Sequence, residues 1–130
     1  MTSHSLARDA YSRPDAPLRP ARTVEYDLFA RVTRRLTLAF RARAADFPAF
    51  AVALHDNDRL WRTLALDVAD PGNALPAALR SRLFYLHEFT TLQTRRILQE
   101  GASAEVLIDI NTAIMRGLRG DAGSGPGGGE

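Results

Sequence analysis

A chain of 130 residues, 45% of them hydrophobic, has the size and composition of one small soluble domain and not two. It contains no cysteine, which excludes disulfides, thiolate zinc sites and cysteine nucleophiles. All 17 basic residues are arginine, and the net charge of +2 hides an asymmetry: residues 1–45 carry +5 and the rest −3, so a basic first third is available to an acidic partner or RNA.

Residues 1–22 read as an extended, mobile arm. Pro14, Pro17 and Pro20 recur every third residue among small and charged ones, and no apolar core of a secretory signal is present. The domain is expected over residues 23–118. Thr23 is placed to cap a first helix, with Glu25 and Asp27 in its opening turn, where negative charge suits the helix dipole. Leu28, Val32, Leu36, Ala39 and Phe40 then repeat at helical spacing, with Arg31, Arg34, Arg35 and Arg41 on the opposite side.

A second helix is predicted from Phe47-Pro48, since proline is tolerated in a first turn. Its stripe is Phe50, Leu54, Asn57, Trp61, Leu64 and Val68, with Leu60 beside it, and the turn signal Pro71-Gly72-Asn73 must end it. A third helix starts near Pro76. Leu79, Leu83, Leu86, Thr90, Gln93 and Ile97 form one face; Tyr85, Phe89 and Leu92 form a second, adjacent stripe, and Gly101 stops the helix. Ser103 caps a fourth, with Leu107, Ile110, Asn111, Ile114 and Leu118 on one side and Gly117 and Gly120 at its end. Residues 119–130 are a glycine-rich tail, expected to be disordered. No segment alternates like a strand. The expected fold is all-α: a small four-helix bundle with short connections. The most apolar stretch, Phe47 to Leu54, is too short to span a bilayer, so no membrane insertion is expected and the protein is expected in the cytoplasm.

The chemistry-bearing residues do not assemble into a catalytic set. There is no phosphate loop, nucleophile elbow or paired-histidine motif, and neither enzymatic activity nor a cofactor is expected. His4 lies in the arm; His55 and His87 fall off the main stripes. The run His55-Asp56-Asn57-Asp58 has metal-ligand residue types, but four consecutive helical residues point in four directions, so no metal is expected there.

Asn57 and Asn111 interrupt apolar stripes. A buried amide is costly unless its donors and acceptors are matched, so these two are expected to tie neighbouring helices together, with ligand binding as the other reading. Trp61 is either the largest core residue or the lining of a groove. The two stripes of the third helix exceed the face that a bundle helix normally buries, so Tyr85, Phe89 and Leu92 are either covered by the first helix or form one side of a helix-binding groove. The arginine face of the first helix has no interleaved aromatics of the kind single-stranded RNA binding uses, which favours a solvated face.

Several segments, in order, resemble the FlaF family of flagellar biosynthesis regulators. They are Glu25-Tyr26, then Ala53-Leu54-His55-Asp56-Asn57-Asp58-Arg59-Leu60-Trp61, then Asp67-Val68 and Asn73-Ala74-Leu75-Pro76. The last are Leu107-Ile108-Asp109-Ile110-Asn111 and Gly117-Leu118-Arg119-Gly120. The resemblance runs from near Thr23 to Gly120. It implies a role in flagellum assembly, with flagellin as the partner, as a flagellin-specific secretion chaperone. The alternative it implies is post-transcriptional control of flagellin synthesis, on flagellin messenger RNA or through the partner regulator FlbT. On the chaperone reading Tyr85, Phe89, Leu92 and Trp61 supply contact area, and Arg31, Arg34 and Arg35 steer an acidic segment of the partner.

Overall fold

The computed structural model describes residues 18–123, with side chains for residues 26–119. Four helices follow one another: α1 (Leu18–Arg41), α2 (Phe47–Ala69), α3 (Ala77–Glu100) and α4 (Glu105–Gly123). The described residues contain no strand. This is the expected all-α four-helix bundle.

Each connection has a local cause. Asp46 caps α2, its carboxylate accepting the Ala49 N–H at 3.1 Å, and Pro48 sits in the first turn. At the far end Asp70 turns the chain out of the helix. Its N–H reaches Asp67 O, its carboxylate accepts the Gly72 N–H at 3.1 Å, and Asn73 bridges Asp67 O and the Leu75 N–H. Arg80 closes this loop by donating from Nε to Leu75 O at 3.0 Å. The Ser103 hydroxyl accepts the Glu105 N–H at the entry to α4.

Two helix ends differ from the sequence reading. α1 begins at Leu18, five residues ahead of Thr23. Pro20 then falls in the first turn, where its missing N–H would have had no intrahelical partner. Of the expected arm, residues 1–17, including His4, lie outside the described residues. α4 continues to Gly123, past Gly117 and Gly120. Glycine weakens a helix but does not forbid it; of the expected tail, residues 124–130 lie outside the described part.

Two glycines behave oppositely. Gly101 ends α3 in the left-handed conformation, φ 75°, with its N–H on Ile97 O at 3.1 Å. Gly117 is helical and exposed, and a Cβ there would meet nothing within 4 Å. Gly101→Ala should therefore lower stability by about 1 kcal/mol, because the strain is in the backbone. Gly117→Ala should raise it by roughly 0.5–1 kcal/mol by removing freedom from the unfolded chain. Urea titration of the two variants checks both signs; equal signs would contradict the helix ends described here.

α1 packs along α2 and α4, and α2 along α3. The apolar core divides into two clusters. One, at the end where α1 stops and α4 starts, holds Leu36, Phe50, Leu54, Ile97, Ala104 and Leu107. The other holds Phe29, Val32, Leu60, Trp61, Val68 and Leu83. Phe29 packs edge-on against Trp61, ring centroids 5.7 Å apart. Between the clusters lies a buried polar layer to which each helix contributes, Thr33, Asn57, Thr90 and Asn111; α3 also buries Thr94.

Candidate partner-binding surface

The polar layer settles what Trp61 and the asparagines do. Asn57, Trp61 and Asn111 are all completely buried. The Trp61 Nε1–H donates to Asn111 Oδ1 at 2.8 Å. Asn111 Nδ2 in turn donates to Asn57 Oδ1 at 2.7 Å and to Thr33 Oγ1 at 3.0 Å. One amide thus joins α1, α2 and α4, the inter-helix tie that its place in an apolar stripe suggests. Trp61 is core. Its ring offers no area to a partner, and the groove reading of Trp61 is corrected accordingly: the indole N–H is satisfied inside the bundle, as a buried indole requires.

The residues around Asn57 diverge as helical geometry demands. His55 is exposed. Asp58 accepts from the Thr91 hydroxyl through Oδ1 at 3.1 Å and pairs with Arg62 through Oδ2 at 3.0 Å. The described residues contain no group of three or more His, Asp or Glu side chains able to hold a metal ion.

On α3 the large apolar residues are not all used by the fold. Leu83, Thr90 and Ile97 are buried, and Leu86 and Phe89 are half-buried. Tyr85 and Leu92 are 65% and 53% exposed. α1 does not cover this stripe: it packs on α2 and α4, and α3 sits diagonally from it. Contacts mark the sides of each helix. Thr91 and Phe84 identify the flank of α3 turned to α2, through Asp58 and through a cleft shared with Val68 and Ala69. At about 3.6 residues per turn, Leu86 and Phe89 fall on the other flank. On α4, Arg119 lies over the Tyr26 ring and marks the side facing α1. Half-buried Val106, Ile110 and Ile114 occupy the opposite side.

The seam between α3 and α4 therefore has apolar walls. It is also the loosely closed side of the bundle, since the backbones of α3 and α4 do not run in close contact as the other neighbouring pairs do. They meet near their connecting turn, where Gln93 Nε2 points to Ser103 O at 3.5 Å. Tyr85 stands between this seam and the α2–α3 cleft, an open space of about 450 Å³ that Phe84, Ala77 and Arg80 also line.

Arg31, Arg34 and Arg35 are exposed on the outer side of α1, with half-exposed Leu38 among them. Because α1 is diagonal to α3, one bound helix cannot touch both surfaces. Steering by these arginines of a segment held at α3 is reduced to a long-range effect. Sequence reasoning missed Phe29, Thr33 and Phe84. The first two had a usable signal, since 29, 33, 36 and 40 repeat at three and four residues along the buried face of α1.

No helix among the described residues is long and apolar enough to cross a membrane. No curated protein and no solved structure matches the chain. A family model described as flagellar protein FlaF does match, over residues 7–118, starting well ahead of Thr23 and spanning all but the last residues of the bundle. The chain is a member of the flagellar protein FlaF family.

Proposed function

We propose that this FlaF protein acts by binding and without catalysis, holding an amphipathic helix of flagellin in the α3–α4 seam in the cytoplasm and so supporting flagellin production and export. The observation that carries the reading is the unused apolar surface of α3. Tyr85 and Leu92 stand exposed beside half-buried Phe89, next to a seam walled by Ile110 and Ile114. An amphipathic helix laid in such a groove buries the same kind of surface on both partners. An unassembled apolar helix face is an aggregation hazard, and covering it keeps a subunit soluble until it is exported.

The exposed arginines of α1 support a second reading, regulation of flagellin synthesis on messenger RNA or through FlbT. Phosphate contacts make such binding fall steeply as salt rises, whereas an apolar groove does not. Purified protein should retain soluble flagellin at physiological salt and keep it when salt is raised about threefold. Retention of flagellin leader RNA instead, lost on adding salt and on removing Arg31, Arg34 and Arg35, would sink the chaperone reading. Retention of FlbT with neither flagellin nor RNA would make the protein an adaptor.

A further inference from the structure

A second apolar surface stands open where α2 turns into α3. Val68 and Ala69 from α2 and Ala77, Phe84 and Tyr85 from α3 wall the cleft of about 450 Å³ there. Two charges line its α3 side: Glu88, and Arg80, held in place by its Nε bond to Leu75 O. Phe84 and Tyr85 are both exposed, so two aromatic rings meet solvent at one groove. Rings grouped in this way mark a place where another segment docks.

The chain carries a segment suited to that groove. The family match starts at residue 7, ahead of Leu18, so residues 7–17 belong to the sequence that the family shares. They contain Pro14-Asp15-Ala16-Pro17, and Tyr11 is the one Phe, Tyr or Trp among residues 1–17. Proline-spaced segments of this kind dock in grooves lined by aromatic rings, because proline fixes φ in advance and little entropy is lost on binding. The charges match as well: Arg13 and Asp15 bracket Pro14, as opposite partners for Glu88 and Arg80. The segment is also anchored at the right end. Short connections make α1 antiparallel to α2 and α2 to α3, so α1 starts at the end of the bundle where the cleft lies. Helix axes roughly 8–10 Å apart put the diagonal from α1 to α3 within reach of about five extended residues at roughly 3.1 Å each. Tyr11 to Pro14 lie at that remove from Leu18 along the chain.

We propose that the segment Tyr11–Pro17 folds back across the end of the bundle and docks in the α2–α3 cleft, with Tyr11 and Pro14 lying on Phe84 and Tyr85. Tethering holds it there at an effective concentration on the order of millimolar, so few contacts are enough. Tyr85 also belongs to the surface proposed for flagellin. Where that reading holds, the segment and the bound helix compete for one ring, and the segment covers it until the partner arrives. The docking itself concerns the free protein and is tested without a partner, so either idea can fail alone.

The absence of cysteine lets a single nitroxide be attached through Ala10→Cys in the full chain. Its paramagnetic broadening of amide signals reads where the segment lies. Amides from Ala77 to Glu88 should lose most of their intensity, while those from Met115 to Arg119 keep theirs. The contrast is decisive because the end of α4 lies beside the start of α1, whereas α3 is diagonal to α1. An unattached segment would broaden α4 at least as much as α3, and that result would overturn the proposal. Tyr85→Asp removes one wall of the groove at an exposed position and should restore the signals from Ala77 to Glu88. Unchanged broadening in that variant would overturn the proposal too. So would broadening carried mainly between molecules in a mixture of spin-labelled and isotope-labelled chains, because the segment would then dock on a second copy.

Discussion

Asn111→Leu should lower the unfolding free energy by about 3–5 kcal/mol, the largest stability loss expected from a single substitution here. Leucine is close to asparagine in size, so the cost is not a cavity. It is the loss of three side-chain hydrogen bonds in a site without water access. The Trp61 N–H, the Asn57 carbonyl and the Thr33 hydroxyl would each lose a partner while remaining buried, at about 1–3 kcal/mol for a group left unmatched. Against a typical total of roughly 5–15 kcal/mol, this places the domain near its limit. Urea unfolding followed by Trp61 fluorescence and far-ultraviolet circular dichroism measures it. A loss under about 1 kcal/mol would mean that the network is not formed in solution. The pair Asn57→Leu and Asn111→Leu should cost less together than the sum of the two, since both singles break the same 2.7 Å bond.

The second large effect is on binding. Tyr85→Asp combined with Leu92→Asp should weaken flagellin binding by about 2–4 kcal/mol, roughly 30- to 1000-fold in Kd. Both side chains are more than half exposed, so the fold should lose no more than about 0.5 kcal/mol per position. Phe89→Asp should abolish binding too. It carries a stability cost of about 1–3 kcal/mol, because its ring is half-buried and a charge there is partly desolvated. Leu38→Asp is the control: the same chemistry at a residue 53% exposed on α1, away from the seam, should leave flagellin binding unchanged. Titration calorimetry with the thermal midpoint of each variant separates the two effects. If Leu38→Asp weakened binding as much as the α3 pair, the groove would have been placed on the wrong side of the bundle. If Phe89→Asp collapsed the helix content, Phe89 would be core.

Local signals in this chain were strong enough to read most of the fold. Phe47-Pro48, Pro71-Gly72-Asn73, Pro76 and Gly101 mark helix ends through missing N–H groups, turn residues or a left-handed backbone, all of which act within a few residues. The misplaced ends were those where the signal is permissive. Pro20 is compatible with a loop or a first turn, and Gly117 is tolerated in a helix that packing sustains. The asparagines were legible as buried ties because an amide in an apolar stripe has few alternatives.

The sequence by itself determined the class of the protein: an all-helical chain of the FlaF type, with two buried amides and more apolar surface on the third helix than one bundle face uses. These are properties of spacing and composition along single helices. Tertiary structure decided which residues of those stripes are spent on the core. Trp61 and Tyr85 look alike as aromatic members of helical stripes, yet one is completely buried and the other 65% exposed. Their difference arises from helix adjacency, α1 lying on α2 and α4 and diagonal to α3. It also needed the fold to bring Thr33, Asn57 and Asn111 into one hydrogen-bonded layer and to leave Thr90 out of it, because partners 54 and 78 residues apart meet through packing and not through sequence periodicity.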